Sequence, residues 1–178
     1  MPKAGADPAS RFVIEPLSDA HDRAAFNCGV PALDRYLAGQ ATQDLRRRIA
    51  ACFVAVEPDT HTVVGYYTLA TSSLPLTDIA AATAKKLPRY PLIPAVRIGR
   101  LAVSTTHRGK GLGAGLLIDG IIRSFRADLM AFAVVVDAKD DAAAAFYTHH
   151  GFTVFISAPM SLYLPIAEAA KALGLAKP

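Results

Sequence analysis

Residues 100–126 read RLAVSTTHRGKGLGAGLLIDGIIRSFR, and this stretch decides the fold. The β-favouring run before residue 104 predicts a strand. Apolar residues at three- and four-residue steps from Leu117 to Phe125 predict an amphipathic helix. The glycine-rich turn between them exposes backbone N–H groups beside the positive end of the helix dipole, so it suits a phosphorylated ligand.

Two well-known phosphate motifs fit this turn poorly. The Walker pattern fails because Lys110 is followed by Gly111 where Ser or Thr is required. The dinucleotide pattern is matched formally by Gly109, Gly111 and Ala114. However, only about one βα unit follows the turn, which is too little chain for a dinucleotide-binding fold.

A third pattern, Arg/Gln-x-x-Gly-x-Gly/Ala, is satisfied by Arg108, Gly111 and Gly113. It resembles the acyl-CoA signature of the GNAT N-acetyltransferases, whose loop binds the pyrophosphate of coenzyme A. The resemblance implies a GNAT fold of the α+β class, with a mixed, mostly antiparallel, twisted central sheet of about six to seven strands flanked by helices. It also implies acetyl-CoA as the cofactor, bound by Leu101, Ala102, Val103, Arg108, Gly109, Lys110, Gly111, Leu112, Gly113, Ala114, Asp140 and Phe146.

A second motif, DDAAAAFYTHHGF, occupies residues 140–152. It resembles the GNAT pattern Asn-x-x-Ala-x-x-x-Tyr-x-x-x-Gly-Phe, with Asp140 in place of Asn. Two helical turns separate Asp140 from Tyr147, so both should face the same side, with Phe146 directed into the core. When an amine attacks acetyl-CoA, a phenol can protonate the departing thiolate. We therefore expect Tyr147 to be the catalytic residue; the alternative is a core tyrosine with a satisfied hydroxyl.

Three further segments resemble the GNAT-type toxins of toxin–antitoxin pairs: FNCGVPALDRYL at residues 26–37, VGYYTL at 64–69 and IGRLAV at 98–103. Those toxins acetylate the α-amine of aminoacyl-tRNA, which blocks translation, and a ribbon-helix-helix antitoxin neutralises them. The resemblance thus implies aminoacyl-tRNA as the substrate, a ribbon-helix-helix antitoxin as a partner and a homodimer.

The chemistry at Arg100 is compatible with an α-amine substrate. Many relatives that acetylate lysine carry a glutamate base in this region, whereas this chain offers Arg100. An α-amine has a pKa near 7.8 and lysine about 10.4, so the neutral fraction at pH 7 is larger by a few hundredfold for the α-amine. Such a substrate can react without a strong base.

Two basic clusters are candidates to bind tRNA phosphates. They comprise Arg46, Arg47, Arg48, Lys85, Lys86 and Arg89. For the three arginines, a solvated helix end is the alternative, because cations suit the negative end of a helix dipole. The net charge of +4 permits a nucleic-acid partner without requiring one.

Chain length and composition predict one domain over residues 11–166, with a disordered extension at 1–10 and a tail or short helix at 167–178. Strands are expected at 12–17, 52–56, 62–71, 96–103, 131–136, 152–156 and 160–164, and helices from Pro31 to about residue 48, at 78–87, after the glycine turn and at 140–149. The two cysteines match neither a metal site nor a disulfide framework, and no metal is expected. Without a signal peptide or a membrane-length apolar run, we expect a soluble, cytoplasmic protein with no membrane partner.

Two other functions remain open from the residues alone. A GNAT enzyme acting on a small-molecule amine or a protein N-terminus would turn over acetyl-CoA without any dependence on tRNA. A non-catalytic module could instead bind CoA, or act with an antitoxin on DNA as a corepressor. Replacement of Tyr147 separates catalysis from mere binding.

Overall fold

The computed structural model describes residues 12–176, so the extension predicted at 1–10 lies outside the described residues. Seven strands form one sheet in the order β1-β2-β3-β4-β5-β7-β6. They are β1 Val13–Pro16, β2 Ala51–Val56, β3 Val63–Pro75, β4 Leu92–Val103, β5 Ala133–Asp137, β6 Thr153–Val154 and β7 Ser161–Pro165. The pair β4–β5 is parallel, whereas β1–β2, β2–β3, β5–β7 and β6–β7 are antiparallel. The mixed, mostly antiparallel sheet expected from the sequence is confirmed.

Six α-helices accompany the strands in the described part of the chain: α1 Pro31–Arg35, α2 Ala41–Arg46, α3 Ala81–Ala84, α4 Leu112–Arg126, α5 Asp141–His149 and α6 Ile166–Ala172. The helix predicted to begin at Pro31 is confirmed, but a π-helical turn, Tyr36–Gln40, separates α1 from α2. No described helix has the length and apolar character needed to cross a membrane.

The chain forms two compact units. Among the described residues, the first contains 12–69 and 100–120, and its core is built on Leu37, Val54 and Tyr66, all of them fully buried. The second contains residues 70–99 and those from 121 onward, with a core that includes Leu74 and Tyr163. The strands β3 and β4 and the helix α4 each contribute residues to both units.

The helix predicted at 78–87 is wrong for most of its length. Only Ala81–Ala84 is α-helical, and Asp78 ends a 3-10 turn, Leu76–Asp78. Its buried carboxylate accepts hydrogen bonds from the backbone N–H and the hydroxyl of Ser157, at 2.9 and 2.6 Å. That long-range partner holds Asp78 outside a helix, and sequence periodicity does not reveal it.

The prolines and the last hairpin also differ from expectation. Prolines at positions 88, 91 and 94 predict no regular structure there, yet β4 begins at Leu92 and includes Pro94. Pro94 lacks only the N–H, and its carbonyl still accepts a bond from the Phe132 N–H, at 2.8 Å, just before the ladder with β5 begins at Ala95. The strand expected at 152–156 shortens to β6, since the Ile156 N–H bonds the Asp78 carbonyl instead of continuing the sheet.

A close approach between β3 and α4 fixes where that helix begins. A Cβ at Gly65 would lie 3.0 Å from Leu116 Cδ1 and 3.2 Å from the Ala102 carbonyl oxygen, so a larger residue would push these neighbours apart by a few tenths of an ångström. Two residues along, the buried Tyr67 hydroxyl donates to Asp119 of α4 at 2.5 Å. These contacts hold the start of α4, and the turn before it, in place.

Candidate active site

The glycine turn has the backbone geometry of an anion cradle. Gly109 and Gly111 have φ of +71° and +80°, and the intervening Lys110 does not have a positive φ. Alternation of this kind aims successive N–H groups into one concavity. The first helical bond runs from the Gly115 N–H to the Gly111 carbonyl, at 3.0 Å. The N–H groups that follow Gly111 therefore have no partner within the helix and can bind an anion.

Three hydrogen bonds tie the segment before this turn to the rest of the first unit. The Ser104 N–H donates to the Val64 carbonyl at 2.8 Å, and the Thr105 N–H donates to the Asn27 carbonyl at 2.9 Å. His107 Nε2 lies 2.7 Å from Glu57 Oε1, and this bond from His107 lowers the pKa of Glu57. The turn is thus held in one shape before any ligand binds.

Arg108, the first residue of the phosphate-binding pattern, also contacts protein. Its guanidinium donates to the Cys28 carbonyl, and a Cβ at Gly29 would lie only 3.2 Å from Nη2. Gly29 has φ +82°, a backbone conformation that favours glycine, and a side chain there would press on the Arg108 guanidinium. Arg108 therefore anchors the glycine turn to the turn at residues 28–29. Its contact with the cofactor stays a prediction.

The segment at residues 101–103 ends β4 just before the glycine turn. Ala102 is buried, while Leu101 and Val103 are half-buried. The ladder between β4 and β5 runs from Ala95 to Ile98, so residues 101–103 come after its end. Their predicted role in binding the thioester is untested.

Tyr147 lies in the last part of α5, in the second unit, and its ring packs edge-on against Phe146 and tilted against Phe152, with centroids 5.2 and 5.4 Å away. The residue is 8% exposed. Burial alone raises the pKa of its hydroxyl to about 12. The phenol is therefore neutral at physiological pH and carries the proton that a general acid needs.

Asp140 starts α5 as its N-cap. One carboxylate oxygen accepts from the Ala143 N–H and the other from Lys139 Nζ, each at 2.8 Å. The bond from Lys139 is the main cause that lowers the Asp140 pKa, with Ala143 second. Asp140 thus precedes the helix that carries Tyr147, and its contact with the cofactor stays a prediction. Phe146 is half-buried, and its ring lies tilted against that of His150, with ring centroids 4.5 Å apart.

All six basic residues of the two clusters are exposed. Arg46 ends α2, and Arg48 turns the chain with a left-handed φ of 58°. Lys85 and Lys86 follow α3 directly. The arginine cluster belongs to the first unit and the lysine cluster to the second.

The described residues contain no group of three or more His, Cys, Asp or Glu side chains arranged to hold a metal ion. Cys28 and Cys52 are buried free thiols. Burial raises the pKa of both, that of Cys52 to about 12, so neither thiol is poised as a nucleophile.

Sequence reasoning missed an open cleft of about 430 Å³ in the first unit, lined by Ala32, Leu33, Arg35, Tyr36, Gln40 and Arg100. Arg100 lies over the Tyr36 ring, 3.6 Å from its centroid. The one sequence signal was the arginine at a position where related enzymes carry an acid.

Comparison with known proteins identifies the family. Residues 48–154 match the model of the Acetyltransferase (GNAT) domain. The "Probable toxin TacT" of Sinorhizobium fredii is 31% identical over 93% of this chain and 97% of its own length. The "tRNA-acetylating toxin" of Mycobacterium tuberculosis is 34% identical over 89% of this chain and 94% of its own.

Comparison with solved structures supports the same family assignment. AtaT complexed with acetyl-methionyl-tRNAfMet superposes with a TM-score of 0.82, at 28% identity over 92% of this chain and 97% of that one. The structure of AtaTR bound with AcCoA superposes with a TM-score of 0.79, at 26% identity over 92% of this chain and 99% of that one. A Tyr-to-Phe mutant of AtaT bound to the C-terminus of the antitoxin AtaR superposes with a TM-score of 0.77, at 26% identity over 91% of this chain and 98% of that one. The chain therefore belongs to the GNAT acetyltransferases, and it is an N-acetyltransferase that uses acetyl-CoA.

Proposed function

We propose that this chain is the toxin of a toxin–antitoxin pair, and that it acetylates the α-amine of aminoacyl-tRNA and so blocks translation. The observation that carries the proposal is the buried, neutral phenol of Tyr147 in a chain that also has a preformed anion cradle at Gly109 and Gly111. Acyl transfer from a thioester carrying a diphosphate needs both features.

In the proposed reaction, the glycine turn and the following N–H groups of α4 bind the diphosphate of acetyl-CoA. Backbone N–H groups at residues 101–103 hold and polarise the thioester carbonyl. The amine nitrogen bonds to the carbonyl carbon as the carbon–sulfur bond breaks. Tyr147 gives its proton to the departing sulfur and regains one from solvent, while the amine loses its extra proton to solvent.

The substrate is supported by two kinds of observation. The relative from Mycobacterium tuberculosis is a tRNA-acetylating toxin, and AtaT was solved with an acetylated aminoacyl-tRNA. Within this chain, six exposed cations are available to the tRNA backbone. Where many enzymes that acetylate lysine carry a glutamate base, this chain has Arg100, which forms no ion pair with a carboxylate in the described part of the chain.

Two partners follow from the proposal. An antitoxin is supported by the complex of AtaT with AtaR, and we propose one of the ribbon-helix-helix type. We also propose a homodimer. Co-expression with a small ribbon-helix-helix protein, if one is encoded beside this gene, should give a complex that elutes as one species and has no acetyltransferase activity.

The decisive experiment is incubation of labelled acetyl-CoA and total charged tRNA with the protein and with its Tyr147→Phe variant. Label should appear on the aminoacyl end with the parent protein. The variant should keep its acetyl-CoA affinity within about twofold and lose about 10²-fold or more in rate, because only the proton donor is removed.

Three outcomes contradict the proposal in different ways. Label on protein or on small amines, with none on tRNA, would identify a different acceptor. Binding of acetyl-CoA without turnover would indicate a non-catalytic module. Equal rates in parent and variant would remove Tyr147 as the acid while leaving the substrate assignment intact.

A further inference from the structure

We infer that the cleft beside Arg100 binds a backbone phosphate of the RNA acceptor, the one carried on the 5′ oxygen of the terminal nucleotide. This inference rests on the proposed function, because it names the part of the same substrate that lies next to the reacting amine. It assigns a substrate-binding role to Arg100 and Arg35, neither of which belongs to the two basic clusters.

The charge of the cleft favours an anion. Two of its six lining residues are arginines, Arg35 and Arg100, and none is acidic. In the described part of the chain, neither guanidinium is paired with a carboxylate within 4 Å. Asp44 interacts electrostatically with Arg100, but its oxygens already accept bonds from Gln40 and Tyr36, each at 2.9 Å, and the Gln40 bond is the main cause that lowers the Asp44 pKa.

Arg100 is held in a way that leaves its donors available. Its guanidinium stacks over the Tyr36 ring at 3.6 Å, and its backbone N–H donates to the Thr68 hydroxyl at 3.1 Å. Stacking uses the face of the guanidinium and leaves the N–H groups in its plane free to bind a phosphate in the two-pronged manner that favours arginine over lysine. The Tyr36 ring is itself held by its hydroxyl bond to Asp44.

The helical segment that lines the cleft contains a π-helical turn. Tyr36 and Gln40 are the two ends of the π-helical turn, closed by the Ala41 N–H bonding the Tyr36 carbonyl. Such wide turns are rare inside helices and occur often at functional sites. This one presents both side chains to the cleft.

The position along β4 suits the terminal phosphate. Arg100 directly precedes residues 101–103, which we propose bind the thioester carbonyl, and side chains alternate along a strand. In an aminoacyl-RNA, one ribose separates the ester that carries the α-amine from the 5′ phosphate of the same nucleotide. A volume of about 430 Å³ lies within the usual range for small-ligand clefts, about 300–1,000 Å³, and can hold a phosphate with its sugar.

The test compares two acceptors and three variants. One acceptor is a charged oligonucleotide ending in CCA, and the other is an aminoacyl-adenosine, which has no 5′ phosphate. Arg100→Gln should lower kcat/KM on the oligonucleotide about ten- to a hundredfold and change it less than twofold on the aminoacyl-adenosine. Arg100→Lys should lose less, since it keeps the charge. Arg126→Gln, which removes an exposed arginine from the end of α4, should change neither.

Two further measurements keep the result decisive. Acetyl-CoA affinity should match the parent in every variant, which shows that β4 is still folded. Binding of an uncharged CCA-ended hairpin, followed by fluorescence anisotropy, should weaken in Arg100→Gln with a salt slope lower by about 1.

Equal losses on both acceptors, or no loss on either, would overturn the phosphate assignment. If the parent acetylates neither acceptor, the proposed function fails. The anisotropy result then still decides whether the cleft binds an RNA phosphate.

Discussion

At the scale of single residues, the pKa of Tyr147 bears on how the proposed reaction responds to pH. Burial raises that pKa to about 12, so the proposed acid stays protonated across the working range. The α-amine, with a pKa of about 7.8, is then the only group of the proposed reaction that titrates near neutrality. We predict that kcat/KM rises tenfold per pH unit below about 7.8 and stays level up to about pH 10.

Initial rates with acetyl-CoA and a charged oligonucleotide, corrected for ester hydrolysis, check this profile. A fall between pH 8.5 and 10 that disappears in Tyr147→Phe would show an acid with an ordinary phenol pKa, and it would contradict the role of burial.

Residue roles differed in how far the sequence could predict them. The candidate role of Tyr147 can be predicted from its spacing to Gly151 and Phe152, because the residues of this motif are close together in the sequence. The partner of Arg108 does not, since the Cys28 carbonyl comes from a turn 80 residues away. Asp140 was expected on a helical face and is instead the N-cap, although Asp before a helix is itself a recognisable cap signal.

At the scale of elements, the glycine turn permits a matched pair of substitutions. Gly111 has φ +80° and Gly115 does not have a positive φ, yet neither would place a Cβ within 4 Å of another group. Gly111→Ala should destabilise the protein by about 1–2 kcal/mol through strain and raise the KM for acetyl-CoA at least tenfold, because its Cβ would stand where we propose that the diphosphate binds.

Gly115→Ala is the control. It lies inside α4, so it should stabilise the fold by about 0.5–1 kcal/mol and leave the KM unchanged. Thermal unfolding and steady-state kinetics measure both effects. An unchanged KM in Gly111→Ala would show that the cofactor does not lie against this turn.

Element types were predicted better than element limits. The strand–turn–helix around residue 108 was predicted because apolar periodicity and glycines are local signals. The π-helical turn at Tyr36–Gln40 was missed, since one extra residue per turn hardly alters the apolar pattern. The helix at 78–87 failed because Asp78 bonds Ser157, a contact that only the folded chain supplies.

At the scale of the whole molecule, charge should govern the encounter with tRNA. The net charge of +4 is modest, but Lys85 and Lys86 are adjacent and exposed. If both contact phosphates, the double variant Lys85→Glu and Lys86→Glu should weaken tRNA binding about tenfold or more and lower the salt slope by about 1 for each lysine lost.

Filter binding at several salt concentrations measures this slope. Lys171→Glu, on the exposed side of α6, is the matched control and should leave both quantities unchanged. Equal slopes in all three proteins would remove Lys85 and Lys86 from the RNA-binding surface.

The division of the chain into two units has a consequence for its synthesis. Neither unit is continuous in sequence, because the chain passes between them after residues 69, 99 and 120. A ribosome must therefore release residue 120 before the first unit can close, while much of the second is still unmade. A fragment that ends at residue 120 would hold the whole first unit with its glycine turn but would lack Tyr147, so it should be unable to carry out the proposed acetyl transfer.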